Sequence, residues 1–164
     1  MRRPPTAGLS ALALGLLMLV AADPASAGWR INGVGPTRAE AVVVPAGATP
    51  TATKATPPPS YNPVYTLTWT TAKLSSGQGV IGYQVLRTIN PRNAAMTTEP
   101  ISGGSCAGTT VNGLSNVYVP ADPNAATQAC TDTTAYITGE VTFSVTPVMG
   151  RWVGPTSPAS PVYT

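Results

Sequence analysis

The sequence contains no histidine and few charged residues of either sign. Of its 164 residues, 9 are Lys or Arg and 6 are Asp or Glu. Without histidine, the chain cannot build a Ser-His-Asp or Cys-His nucleophile, a histidine-ligated metal site or the usual pH switch. Because binding to phosphates needs clustered positive charge and these cations are scattered, we expect no nucleic acid partner. The composition thus points to no cofactor, no metal and none of the common catalytic machinery.

The chain also lacks an apolar run long enough to cross a membrane. Its longest uncharged apolar run, Leu9–Ala22, follows two arginines and has 14 residues. As a helix it would span about 21 Å, less than the roughly 30 Å of a hydrocarbon layer. The small residues Ala25-Ser26-Ala27 come next and form a cleavage site. We therefore predict a signal peptide over residues 1–27, cut between Ala27 and Gly28. The alternative is a leader retained as a membrane anchor, which would be the only membrane contact.

Cysteine is limited to two residues, Cys106 and Cys130. In an exported domain two thiols usually oxidise to a disulfide. A metal or redox pair is the competing interpretation, but the chain has neither a Cys-x-x-Cys spacing nor a histidine. We therefore predict a Cys106–Cys130 disulfide, which would stabilise its 25-residue loop by about 3.5 kcal/mol. The expected location is secreted or extracellular, in contact with the cell surface.

Proline and glycine are abundant, with 18 and 16 residues. Residues 28–46 predict an irregular N-terminal segment, with one short strand over Ala41–Val44. Residues 47–63 are rich in Thr, Ala and Pro and leave two alternatives open. They could hold an edge strand over Thr49–Thr53, where proline is tolerated, or they could be a glycosylated Pro/Thr-rich linker. The Pro57–Pro59 run predicts extended polyproline.

From residue 64 onward the pattern is that of β-strands. Apolar residues alternate with polar ones over Val64–Thr70, Val80–Thr88 and Val141–Val148, which predicts three half-buried strands. Shorter strands are expected at Thr109–Val111 and Ser115–Val119, and an edge-like strand ends at Thr164. After residue 28 there is no amphipathic helical pattern. The sequence therefore predicts an all-β, antiparallel sandwich.

Four short motifs occur in an order that resembles a fibronectin type III domain. They are Leu67-Thr-Trp69, Gly82-Tyr83-Gln-Val85, Phe143-Ser-Val145 and Gly154-Pro155-Thr-Ser157. The resemblance covers residues 47–164 and implies an immunoglobulin-like sandwich in which Trp and Tyr serve packing. The core it implies consists of Val64, Leu67, Trp69, Ile81, Tyr83, Val85, Phe143, Val145 and Val162.

The chain departs from that family in two places. Val141 stands where the family has its corner tyrosine, and the region 92–140 is longer than usual. More narrowly, the chain resembles small exported actinobacterial proteins that carry such a domain. The residues in common are Trp29, Gly33, Gly35, Cys106–Gly108, Cys130–Thr133 and Trp152–Pro155.

The carboxylates outside the leader do not form a recognisable catalytic or metal-binding pattern. No spacing brings two of them together on one strand, and no calcium-loop signature is present. We expect all of them to be exposed loop residues, namely Glu40, Glu99, Asp122, Asp132 and Glu140.

Arg151 and Trp152 follow Gly150 at a predicted hairpin turn. A tryptophan beside a cation at a turn is typical of a partner contact. The more ordinary expectation is that Trp152 folds back and plugs the end of the sandwich.

Two functional hypotheses remain open. The first is a non-catalytic, exported interaction module that binds a surface protein or a polysaccharide. The alternative is a structural spacer or subunit of a surface appendage, joined through its edge strands; a secreted enzyme is the least favoured. These rest on analogy of fold and not on a catalytic motif.

Overall fold

A computed structural model of the chain describes residues 43–59, 62–133 and 139–164. The predicted signal peptide, its cleavage between Ala27 and Gly28 and most of the segment 28–46 lie outside the described residues. Residues 42–164 form one compact unit. Within the described residues there is no α-helix, and no helix is long and apolar enough to cross a membrane.

The described residues form nine strands in two antiparallel sheets that pack together. One sheet has the order β1-β2-β7, and the other has the order β5-β6-β3-β8-β9, with β4 also paired to β3. This confirms the predicted all-β, antiparallel class. The strands are β1 (Thr51–Ala55), β2 (Val64–Thr70), β3 (Gly82–Asn90), β4 (Thr97–Pro100), β5 (Thr109–Val111), β6 (Leu114–Tyr118), β7 (Thr127–Thr133), β8 (Glu140–Met149) and β9 (Trp152–Val153).

The N-terminal part of the unit resolves the choice between strand and linker. Thr51–Ala55 pairs with β2 along its whole length, so the edge-strand alternative is correct, with the strand displaced by two residues from the predicted Thr49–Thr53. Pro58 and Pro59 lie in a turn, so the prediction of extended polyproline is wrong there. The short strand predicted over Ala41–Val44 is absent at residues 43 and 44, and Val44 instead lies beside Gly154.

The core lies between the two sheets and is built from the alternating positions of β2, β3 and β8. Trp69 packs against Tyr83, with ring centroids 5.2 Å apart, and against Tyr118 at 5.9 Å. Burial of these large apolar surfaces is the main force that holds the sheets together. The prediction is confirmed for Leu67, Trp69, Tyr83, Val85, Phe143 and Val145, which are all at most 2% exposed.

Three predicted core residues are not in the core. Val64 is only half-buried because the next residue, Tyr65, takes the inward position. Ile81 precedes β3 and is half-buried. Val162 is 54% exposed, and Tyr163 takes the inward position because the last segment repeats every three residues.

Residues 154–164, the proline segment, run beside β8 without forming the predicted edge strand. Every third residue donates its backbone N–H to every second carbonyl of β8: Gly154 to Pro147, Ser157 to Val145, Ser160 to Phe143 and Tyr163 to Val141. The hydroxyls of Ser157 and Ser160 accept the backbone N–H groups of Val145 and Phe143, both at 3.0 Å. This three-residue period is that of polyproline II. It turns the two serines and Tyr163 inward and leaves Pro155, Pro158, Pro161 and Val162 exposed.

Candidate functional site

The largest departure from the sequence-based expectation is a charged cluster inside the sandwich. Arg87 follows Tyr83 and Val85 on the inward face of β3 and is 5% exposed. Its Nη1 donates to both carboxylate oxygens of Asp132 on β7, at 3.0 and 2.8 Å. Its Nη2 donates to Glu99 on β4, whose side chain is half exposed. The cluster therefore links the two sheets and the edge strand β4.

Asp132 is fully buried, so the prediction that it is an exposed loop carboxylate is wrong. Its burial could have been inferred from the alternation along β7, where every second residue is buried: Gln128, Cys130 and Asp132. The carboxylate also affects its cross-strand neighbour Tyr65. Burial raises the pKa of Tyr65, and the negative charge of Asp132 adds to that rise while Arg87 opposes it.

Because Asp132 is closed to solvent and Arg87 nearly so, this cluster acts as a clamp between the sheets. One guanidinium nitrogen donates to both oxygens of the carboxylate, and such charge-assisted hydrogen bonds are shorter and stronger than neutral ones. Of the cluster's two carboxylates only Glu99 reaches the surface, and it is bonded to Arg87. The cluster holds β3 and β7 opposite each other across the sandwich.

The predicted disulfide is present between Cys106 and Cys130, with Cα atoms 5.0 Å apart. It attaches the loop before β5 to the outer edge of β7. There the N–H of Cys106 donates to the carbonyl of Thr131 at 2.9 Å, and the N–H of Thr131 donates to Ser105 Oγ at 2.8 Å. Gly104 has φ +72°, and a side chain there would overlap the Thr131 carbonyl. The disulfide indicates an oxidising environment.

The remaining carboxylates stay apart. Asp122 is exposed and accepts the N–H of Asn124, while Glu140 is exposed and accepts from Asn90. Glu40 lies outside the described residues. In the part of the chain that the structure describes, no three His, Cys, Asp or Glu side chains come together in a way that could hold a metal ion.

The β8–β9 hairpin exposes the residues that the sequence offered as a partner contact. Gly150 has φ +63°, a left-handed conformation that favours glycine, and Arg151 follows it fully on the surface. Trp152 is 56% exposed and Val153 is 46% exposed. Met149, Gly150, Arg151 and Trp152 line an open hollow of about 400 Å³ whose wall is almost entirely apolar.

Trp152 does not plug the sandwich, so the more ordinary expectation for it is wrong. The space between the sheets at this end is already filled by Trp69, Tyr83 and Tyr118, whose rings pack edge to face. Trp152 lies on β9, a strand of only two residues, and is the cross-strand partner of Met149 on β8. The indole is therefore held at the rim, where its face stays accessible.

No protein family model matches the chain, and no curated protein matches it significantly.

Proposed function

We propose that the chain is a non-catalytic, exported interaction module of fibronectin type III-like architecture that binds a protein through its β8–β9 hairpin. The strand order supports the architecture, because β1-β2-β7 and the β3-β8 pair correspond to the A-B-E and C-F pairings of immunoglobulin-like sandwiches. The disulfide supports export, since such bonds persist in oxidising compartments.

The observation that carries the proposal is the exposure of Trp152. A tryptophan contributes a large, rigid contact area and loses little conformational entropy on binding. A monomer gains nothing from leaving this side chain in water, and an exposed apolar patch marks an interaction site. Arg151 beside it supplies a cation and a planar group for hydrogen bonds to the partner.

A protein fits this surface better than a polysaccharide. A sugar ring can stack on an exposed indole, but fixing its orientation needs polar groups that converge on its hydroxyls. The hollow has one charged side chain, Arg151, and otherwise presents Met149, Gly150 and the Trp152 ring. Its chemistry suits an apolar or aromatic side chain of a partner.

The alternative of an appendage subunit joined through open sheet edges has less support. The outer edge of β7 is occupied by the loop around Ser105 and Cys106, and that of β8 by the proline segment. Strand addition needs free backbone donors and acceptors. The opposite edges, formed by β1 in one sheet and β5 in the other, are where strand addition would have to occur.

The test is capture by the disulfide-intact protein. Wild type, Trp152→Ala and the control Met96→Ala are immobilised and exposed to a cell-surface fraction of the producing organism, with or without protease treatment. We expect Trp152→Ala to weaken capture roughly 30-fold or more, as for a central interface residue. Met96→Ala, which alters an exposed residue elsewhere, should bind as wild type.

Protease treatment of the fraction should abolish capture by the wild type. Capture that survives protease would identify a polysaccharide as the partner. Wild-type binding by a folded Trp152→Ala variant would exclude the hairpin as the contact.

A further inference from the structure

Exposed apolar side chains are concentrated on one edge of the sandwich. Six large apolar residues are strongly exposed in the described chain, and four of them are Val43, Trp152, Val153 and Val162. The other two, Met96 and Val119, adjoin β4 and β6, which pair with β3 on the side away from β8. The asymmetry shows that the apolar surface belongs to a particular edge.

The four residues come from two segments that run side by side. The N–H of Gly47 donates to the carbonyl of Pro155 at 3.0 Å, and Gly154 packs against Val44 and the carbonyl of Pro45. Farther along, the N–H of Ala52 donates to the hydroxyl of Tyr163 at 2.7 Å. We call the surface formed by Val43–Thr53 and Trp152–Thr164 the edge strip.

The edge strip carries no charge. Neither the 11 residues Val43–Thr53 nor the 13 residues Trp152–Thr164 include Asp, Glu, Lys or Arg. Cations stand at its two ends: Arg151 at the hairpin, and Lys54, whose Nζ donates to the Thr164 carbonyl at 2.6 Å. Between them, exposed prolines 155, 158 and 161 form a ridge beside β8.

We propose that the edge strip is a self-association surface at which two copies of this chain pack about a two-fold axis. This rests on the proposed function, since it names a second copy as the partner of the Trp152 hairpin. A two-fold axis brings the hairpin end of one strip to the Pro161 end of the other. Each indole then lies on the proline ridge of the opposite copy.

The strip is chemically suited to its own copy. Flat indole and proline rings pack well, and joining two uncharged surfaces buries no ion. The backbone N–H groups of the proline segment that face β8 are already bonded to it, so the contact is made by side chains and not by a new sheet ladder. An isologous contact of this kind closes as a dimer and does not propagate.

The available area sets the expected strength. The strip follows the nine residues of β8 from 141 to 149, about 27 Å at 3.4 Å per residue. Its two layers lie about 10 Å apart, and the side chains on both outer faces widen the edge to roughly 20 Å. Two copies would bury about 1,100 Å² in total, at the low end for specific interfaces. We therefore expect a weak dimer with a dissociation constant on the order of 100 µM.

The charges at the ends give the dimer a distinctive salt dependence. In the two-fold arrangement, Arg151 of one copy approaches Lys54 of the other at the exposed rim. Because salt screens this repulsion, association should tighten as ionic strength rises. A contact driven by opposite charges would weaken instead.

Sedimentation equilibrium of the purified, disulfide-intact protein tests the proposal. We expect a reversible monomer–dimer equilibrium that Val153→Glu weakens at least tenfold. Met96→Glu and Val119→Glu introduce the same charge at exposed apolar sites outside the strip and should leave it unchanged. Melting temperatures confirm that each variant is folded. A monomer at all concentrations up to the millimolar range, or equal loss in the control variants, would overturn the proposal.

Cross-linking gives an independent measurement. Ala159 is exposed near the middle of the strip, so in a two-fold dimer Ala159→Cys meets its own copy and should form an intermolecular disulfide faster than Met96→Cys. Equal rates would contradict the arrangement. If the protein is monomeric while Trp152→Ala still abolishes capture from the cell surface, this inference fails and the proposed function stands. If Trp152→Ala affects neither dimerisation nor capture, both fail.

Discussion

Among individual side chains, Arg87 and Asp132 form an ion pair inside the sandwich. Arg87 and Asp132 are both removed from solvent and are joined by two hydrogen bonds from Nη1, while the buried Nε of Arg87 has no hydrogen-bond partner. Such a pair contributes little net stability over a well-packed apolar pair, because two charges must be desolvated. Removing Asp132, however, leaves the buried Arg87 with only the half-exposed Glu99 as an opposite charge. The pair therefore holds β3 and β7 opposite each other across the sandwich, and it adds little to the net stability of the fold.

We predict that Asp132→Ala lowers the free energy of unfolding by roughly 3–5 kcal/mol, because Arg87 keeps its charge without its buried partner. Urea unfolding measures the loss. The double variant Arg87→Met/Asp132→Leu should recover most of it. Glu99→Gln is the matched control: its side chain is half exposed, so it should cost at most about 1 kcal/mol. Equal losses in all three variants would contradict the clamp.

The two tryptophans of the described chain should respond differently to the same change. Trp69 is 2% exposed and contacts two tyrosine rings, so Trp69→Ala should cost roughly 3–5 kcal/mol. Trp152 is mostly in water, so Trp152→Ala should stay within about 0.5 kcal/mol of wild type. Denaturant unfolding of both variants checks the pair. A large loss of unfolding free energy in Trp152→Ala would show that this side chain packs in the core.

Among the strands and connections, the proline segment shows how a segment rich in proline can still close a sheet. Prolines have no N–H, but here they fall at positions that face away from β8. The inward positions carry serines, whose hydroxyls accept the N–H groups that a regular strand would have satisfied with carbonyls. The edge is thereby covered and cannot serve as a template for another strand.

We predict that Ser160→Ala lowers the free energy of unfolding by about 1–3 kcal/mol, because the buried N–H of Phe143 loses its acceptor. Ala159→Ser adds a hydroxyl to the neighbouring exposed position and should have almost no effect. Thermal unfolding and amide exchange at Phe143 measure the difference. Unchanged protection at Phe143 in Ser160→Ala would show that the hydroxyl is dispensable.

The disulfide acts on a connection with few large apolar residues. Removing it with Cys106→Ala/Cys130→Ala should cost about 3.5 kcal/mol, mainly because the unfolded chain regains freedom in the loop. Unfolding of this variant and of the reduced wild type should agree. Amide exchange shows whether the hydrogen bonds between residues 105–106 and Thr131 are retained. If they are, the loss of stability comes from the entropy of the unfolded loop and not from a local rearrangement. Full stability without the bond would contradict this account.

For the molecule as a whole, the sandwich holds three tyrosines that are fully or partly buried, namely Tyr65, Tyr83 and Tyr118. Burial raises the pKa of Tyr65, Tyr83 and Tyr118 above the ordinary value of 10.0. Tyr83 and Tyr118 also tie loops and strands together: the Tyr83 hydroxyl accepts the N–H of Ala72, and that of Tyr118 donates to the carbonyl of Ala129. Ionisation of these groups therefore opposes folding.

We predict that stability falls above about pH 10, because the unfolded chain releases these phenol protons before the folded chain does. The contribution is fully present below pH 10 and is lost as the pH rises through the raised pKa values. Urea midpoints between pH 8 and 11, with tyrosinate absorbance, measure it. Tyr118→Phe should make the decline shallower. Titration of every tyrosine near pH 10 with unchanged stability would contradict the prediction.

Local pattern was sufficient for much of this fold. Alternation over Val64–Thr70 predicted β2 to the residue, and the same signal located both ends of β3 and of β8 within two residues. The even cysteine count predicted the disulfide. The candidate contact, Arg151 and Trp152, was also visible as a turn residue followed by a cation and an aromatic ring. These features depend on side-chain periodicity and on chemistry between near neighbours, which a sequence displays directly.

The tertiary structure decided the features that depend on distant partners. Asp132 is buried only because β7 faces β3 and brings Arg87, 45 residues earlier in the chain, to its carboxylate. Val162 is exposed because the proline segment winds with a period of three against the carbonyls of β8. Trp152 is exposed because Trp69, Tyr83 and Tyr118 already fill that end of the core. In each case the free energy of burying the side chain depends on which residues contact it across the sandwich, and a local sequence pattern does not identify those residues.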